Sequence, residues 1–159
     1  MSGSISFCSS GNDSGHLNVA LGSGKDWRME WAATKKPVVL VVEDELLIRM
    51  HAAEMIEEAG FEVVEASNAY EAVGILEARL DVAVVFTDIQ MPGSMDGLKL
   101  ARAVRDRWPP IHIIATSGLV DVRTGDLPQG GRFLPKPYSP AQITAALREL
   151  TGESYTVSR

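Results

Sequence analysis

The chain has 159 residues, 45% of them apolar and 23% charged, with a formal net charge of −6. That length suits one domain with a sizeable core and leaves little room for a second, and the acidic balance excludes the broad Lys/Arg footprint of a nucleic-acid binder. The longest all-aliphatic run, Val38 to Val42, is too short to cross a bilayer, and the N-terminus has no basic region followed by an apolar stretch of the kind that directs secretion.

From Met1 to Gly24 the chain is rich in Ser, Gly and Asn and shows no apolar period, so residues 1–36 read as a disordered extension. Met29 is an alternative start that would make much of this extension an artefact of gene calling. Trp27 and Trp31 lie four apart and either rest loosely on the domain or form a short partner-docking helix. Cys8 is the only cysteine, so no internal disulfide forms, which fits a reducing cytoplasm. From Pro37 onward, short β-branched runs alternate with helical stretches. VVLVV (38–42) reads as a fully buried strand. Ile48, Ala52, Met55, Ile56 and Ala59 form a helical stripe that Gly60 stops. FEVV (61–64) is a second strand. Asn68 with Glu71 resembles a capping box, followed by Ala72, Val73, Leu76 and Leu80 on one face. VAVVF (82–86) is a third strand, and Asp96 caps a helix carrying Leu100, Ala101, Val104 and Trp108. IHIIA (111–115) is a fourth strand. Phe133 and Leu134 mark a fifth, and Ser139 caps a last helix with Ile143, Ala146, Leu147 and Leu150 inward.

Five strands alternating with helices imply an α/β domain: a five-stranded parallel sheet covered on both faces, with the flavodoxin-like order 2-1-3-4-5. Between Ser117 and Gly131 the chain is Gly-rich without a helical stripe, so a fourth helix there is short or absent. Pro135 removes a ladder donor, which places it on an edge strand.

The residues that follow the strands converge on one chemistry. Glu43 and Asp44 follow the first strand, Thr87 and Asp88 the third, Thr116 and Ser117 the fourth, and Lys136 the fifth. In a parallel sheet these ends share one edge, and the switch point between strands 1 and 3 brings Glu43, Asp44 and Asp88 together. Three carboxylates in one cleft repel unless a cation sits among them. An all-oxygen ligand set suits Mg²⁺, with Mn²⁺ as a substitute. Lys136 can pair with Asp88 and then with a phosphate, and the Thr116 hydroxyl can donate to a phosphate oxygen; metal and Lys together supply most of what phosphoryl transfer needs. His51 borders the first helical stripe and reads as a packed or half-exposed structural histidine. His112 and His16 are structural or solvated, and Trp108 is packing.

The motifs VLVVEDE (39–45), FTDIQMPG (86–93), MDG (95–97), IIATSG (113–118) and FLPKPY (133–138) occur in this order and together resemble the receiver domain of response regulators over residues 37–150. The resemblance implies that Asp88 accepts a phosphoryl group from a histidine kinase or histidine phosphotransfer protein. It implies that Asp44 binds Mg²⁺ directly, Glu43 through water, and the Gln90 backbone carbonyl as a further ligand. Thr116 and Phe133 would be a switch pair, although Phe133 also reads as a core aromatic, and the Lys136–Pro137 bond would be cis. The chain departs from the family in its Glu-Asp acidic pair, in Gly93-Ser94 before MDG, and in the Gly-rich segment where many receivers carry an output helix. That segment would order on phosphorylation or partner binding. With residues 151–159 as a tail, the reading is a stand-alone cytoplasmic receiver that signals through a downstream protein target, without nucleic-acid or membrane partners and without substrate turnover. The alternative is a degenerate receiver that binds partners independently of phosphorylation. A haloacid-dehalogenase-like phosphohydrolase would need an acid at Gln90. A flavin phosphate would be repelled by Glu43, Asp44 and Glu45.

Overall fold

The structure of the protein, a computed structural model, describes residues 35–118 and 122–152, the side chain of Thr124 excepted. Trp27, Trp31, Cys8, His16, nearly all of the extension and most of the C-terminal tail lie outside the described residues. One compact unit begins at Pro37.

The strands are β1 (Val38–Val42), β2 (Glu62–Ala66), β3 (Val82–Asp88), β4 (His112–Ser117) and β5 (Arg132–Pro135). They form one parallel sheet in the order β2-β1-β3-β4-β5, the 2-1-3-4-5 order expected from the alternation of elements. The helices among the described residues are α1 (Leu46–Glu58), α2 (Ala69–Ala78), α3 (Gly97–Arg107) and α4 (Pro140–Thr151). Strand side chains alternate between the two faces, and each face has its own core. Val38, Leu40 and Val42 pack with Ala72 and Leu76 of α2 and Leu100 and Val104 of α3. Val39 and Val41 pack on the opposite face with Met55 and Ile56 of α1 and Ile143 and Leu147 of α4. Helices cover both faces, so β1 is buried at all five positions. No helix among the described residues is long and apolar enough to cross a membrane.

Three helices start on side-chain caps. Asn68 accepts from the Glu71 amide, Asp96 from the Lys99 amide, and Ser139 from the Gln142 amide in a full capping box. The expected box at Asn68 is only half present, because the Glu71 carboxylate accepts from the amide and hydroxyl of Ser67 instead. Glu45 at the start of α1 makes no side-chain cap bond.

Other expectations need correction. Leu80 does not join the buried face of α2: the helix ends at Ala78, Arg79 is extended, and Leu80 is 96% exposed. The next strand begins at Val82, so the chain leaves the helix at Arg79, which pairs with Asp81 at 2.7 Å and Glu62 at 3.3 Å. His51 is exposed rather than packed. Trp108 caps α3 and stacks under the Arg107 guanidinium at 4.4 Å while resting partly on the core. Pro135 lies on β5, an edge strand, as a residue without an N–H must. Between β4 and β5 the described residues hold only a 3-10 turn, Thr124–Asp126. Leu127 anchors this stretch by burying its side chain against Ile89 and Ala115.

Candidate functional site

The ladder registers carry the site. β3 and β4 run two residues beyond their apolar runs, so Asp88 sits opposite Thr116 and Thr87 opposite Ala115. On the other side Thr87 pairs with Val42, the residue before Glu43. The chain leaves β4 opposite Pro135, and the Lys136 amide donates to the Ser117 carbonyl at 2.9 Å. Glu43, Asp44, Asp88, Thr116 and Lys136 thus meet at the C-terminal edge of the sheet. Gly97 makes this possible from the α3 side: its amide donates to the Ile89 carbonyl at 3.0 Å, and its missing Cβ leaves room for the Asp88 carbonyl.

One oxygen each from Glu43, Asp44 and Asp88 lies within 4.8 Å of the others. Glu43 and Asp88 are buried and Asp44 is exposed. The Lys136 ammonium reaches Glu43 Oε2 at 3.1 Å and Asp88 Oδ1 at 3.4 Å. The second contact is an ion pair without hydrogen-bond alignment, so the buried Asp88 Oδ1 has no hydrogen-bond partner. The residues fit a hard divalent cation: the donors are all oxygen, three carboxylates face one ammonium, and one buried carboxylate oxygen is orphaned. The cis Lys136–Pro137 bond is present. Thr116 Oγ1 rests 3.5 Å from the Thr87 carbonyl, a weak contact that leaves the hydroxyl free to turn. Phe133 is half-buried beside Ala115 and Leu127. Gln90 is exposed; its backbone N–H supports the Asp88 carboxylate, and its side chain accepts from Ser117 Oγ at 3.4 Å.

Burial pushes both Glu43 and Asp88 above the ordinary carboxylate range. The Glu45 amide and Lys136 oppose this at Glu43; Lys136 and the Gln90 amide oppose it at Asp88. Burial alone would lower Lys136, but its hydrogen bond to Glu43 and the charges of Asp88 and Glu43 outweigh that and raise it. A carboxylate with a raised folded pKa holds more protons folded than unfolded. Stability therefore falls as pH rises from the ordinary carboxylate range through the raised folded values. The metal-free protein should lose stability as pH rises above the ordinary carboxylate range, and Mg²⁺ should recover that loss. Thermal melts in chelator and in Mg²⁺ across that range check this; Asp88→Asn should shrink the fall to the part that Glu43 contributes, and an undiminished fall would remove Asp88 from the effect.

Two residues of this region escaped the sequence reading. Arg49 donates from Nη1 to the Glu43 carbonyl at 2.9 Å and from Nε to Glu65 Oε1 at 3.0 Å. Tyr138 stacks edge-on against Phe86 at 5.6 Å and lines a groove with Leu47, Ile48, His51, Lys136 and Pro137. A lone cation inside the apolar turn LLIRM was the only signal for Arg49.

Residues 39–148 match the response regulator receiver domain family. The chain is 37% identical over 116 residues to the sensor kinase CckA of Brucella abortus (strain 2308), covering 70% of this chain and 12% of that protein. It is 33% identical to the aerobic respiration control protein ArcA of Escherichia coli (strain K12), covering 72% of this chain and 48% of ArcA. The chain therefore spans less than half of these relatives. Among solved structures, the response regulator TrrA of Thermotoga maritima, in complex with Mg(2+)-BeF, is 26% identical with a TM-score of 0.64, covering 73% of this chain and 99% of that one. The chain belongs to the response regulator receiver family.

Proposed function

We propose that this chain is a signalling receiver that takes a phosphoryl group onto Asp88 from a histidine kinase or histidine phosphotransfer protein. The observation that carries the reading is the Glu43–Asp44–Asp88 cluster with Lys136 at ion-pair distance. Glu43, Asp44, Asp88 and the Gln90 carbonyl would hold Mg²⁺ or Mn²⁺, which when bound neutralises charge on the transferring oxygens. The complex of TrrA supports this assignment. The Asp88 carboxylate attacks the phosphorus in line with the bond to the donor nitrogen, which leaves with its electron pair. Lys136 moves from its ion pair to a phosphoryl oxygen. Thr116 turns from the Thr87 carbonyl to a second oxygen, and Phe133 follows into the space it vacates. This change is then read by a downstream protein. Residues 37–150 are the receiver, 1–36 an N-terminal extension and 151–159 a tail. The protein acts in the cytoplasm as a phosphoacceptor rather than as a turnover enzyme.

The test is transfer from a phosphorylated kinase or phosphotransfer protein, followed by phosphate label on the chain. Labelling that needs divalent metal supports the reading. Steady hydrolysis of phosphomonoesters, or no labelling from any donor, overturns it, the latter in favour of a binding module. Lys136→Met tests the mechanism. It should retain Mg²⁺ binding while the transfer rate falls on the order of 100-fold, as when a preorganised charge is removed from a transfer site. Single-turnover labelling reads the rate, and an unchanged rate would remove Lys136 from the chemistry.

A further inference from the structure

We infer that Arg49 is a positioning residue for the metal site, acting by fixing the peptide that joins Glu43 to Asp44. The inference rests on the reading of Glu43, Asp44 and Asp88 as the metal cluster.

The carbonyl that Arg49 holds belongs to the Glu43–Asp44 peptide. Rotation of that peptide plane would swing the Asp44 Cα and redirect its side chain. Asp44 is exposed, so the backbone, through the direction of its Cα–Cβ bond, sets where its carboxylate can reach. Two other ties flank this peptide, and neither takes its carbonyl. The Glu43 amide is tied to the Ala66 carbonyl at 3.1 Å, and the Glu43 carboxylate to the Glu45 amide at 3.2 Å. The helix that follows has no side-chain cap, unlike α2, α3 and α4. Arg49, in the first turn of α1, supplies the missing tie.

Only arginine suits the position. Its guanidinium is a rigid fork, and two different nitrogens serve the two partners, Nη1 the carbonyl and Nε the Glu65 carboxylate on β2. The Arg49 side chain is 15% exposed and Glu65 43%, so the fork is fixed between the helix turn and the edge strand. A lysine ammonium keeps the charge but is a single point and cannot hold both groups in one geometry.

A purely electrostatic role makes the opposite prediction. A cation beside three carboxylates weakens binding of a second cation, so its removal would tighten Mg²⁺ binding. A positioning role predicts weaker binding on removal, since partners outside the ligand shell are typically worth 10- to 100-fold in metal affinity.

The experiment titrates the full chain with MgCl₂ by calorimetry at constant ionic strength, for wild type, Arg49→Gln and Arg49→Lys, with a thermal melt of each. The expected result is Mg²⁺ affinity weakened about 10-fold in both variants at temperatures where both remain folded. Unchanged or tighter binding in Arg49→Gln would overturn the inference, as would full rescue by Arg49→Lys, which would leave charge alone as the cause. If Arg49→Gln does not fold, Arg49→Lys decides. If wild type itself binds no Mg²⁺, the reading of the metal cluster fails, and the inference with it; equal binding in all three proteins sinks the inference alone.

Discussion

Asp88→Asn should abolish the Mg²⁺-dependent mass gain that acetyl phosphate is expected to produce in the wild type. The substitution preserves shape but replaces a nucleophilic oxygen with an amide, and it takes one carboxylate from the metal cluster. The loss should be complete within the sensitivity of intact-protein mass spectrometry, with the wild type gaining about one phosphoryl mass. A second readout separates lost chemistry from lost structure. Burial raises the Asp88 pKa, so the charged form is disfavoured in its site when no metal is bound. A neutral amide removes that cost, and Lys136 keeps Glu43 at 3.1 Å. Asp88→Asn should therefore melt at or above the wild-type temperature in chelator while losing all phosphorylation. A mass gain that persists in the variant would place the acceptor elsewhere.

The second large effect is structural. A Cβ built at Gly97 would stand 2.0 Å from the Asp88 carbonyl oxygen and 2.7 Å from the Ile89 Cα. Both are backbone atoms of the segment that leaves β3, so no side chain can yield. Either α3 or the end of β3 must move. Overpacking of this kind costs roughly 3 kcal/mol or more. At this chain length that lowers the melting temperature by roughly 10 °C. Because the obstructed oxygen belongs to Asp88 itself, Gly97→Ala should also weaken Mg²⁺ binding in whatever fraction remains folded. Gly74→Ala is the control: its Cβ meets nothing within 4 Å on the exposed side of α2, and it should melt no lower than wild type. Equal melting temperatures for the two variants would show that the β3–α3 junction is softer than its geometry indicates.

What could be read in advance depended on range. Caps at Asp96 and Ser139 were legible because an N-cap acts three residues away. The sheet order was legible because β1 and β3 are apolar on both faces and so belong in the interior. Leu80 departs from the expected face because a helical period does not say where the chain must turn extended, here at Arg79, to enter the strand that begins at Val82. The arrival of several polar strand ends at one edge followed from topology. The sharing of Lys136 between Glu43 and Asp88 did not, since it rests on a contact spanning 93 positions. Arg49 was invisible for a related reason: its carbonyl partner has no residue-type signature.

The burial of β1 has a further consequence, for the chain before it folds. VVLVV is an uncharged, proline-free β-branched run, the composition that nucleates intermolecular β-aggregation when exposed. The folded sheet withholds it twice over: it lies inside the sheet, and the open edges carry Glu62 and Glu65 on one side and Arg132 and Pro135 on the other. Refolding yield should thus depend on protein concentration far more than native solubility does. Polar substitution within 38–42 offers no remedy, because every side chain that could be made soluble there is one the native core consumes.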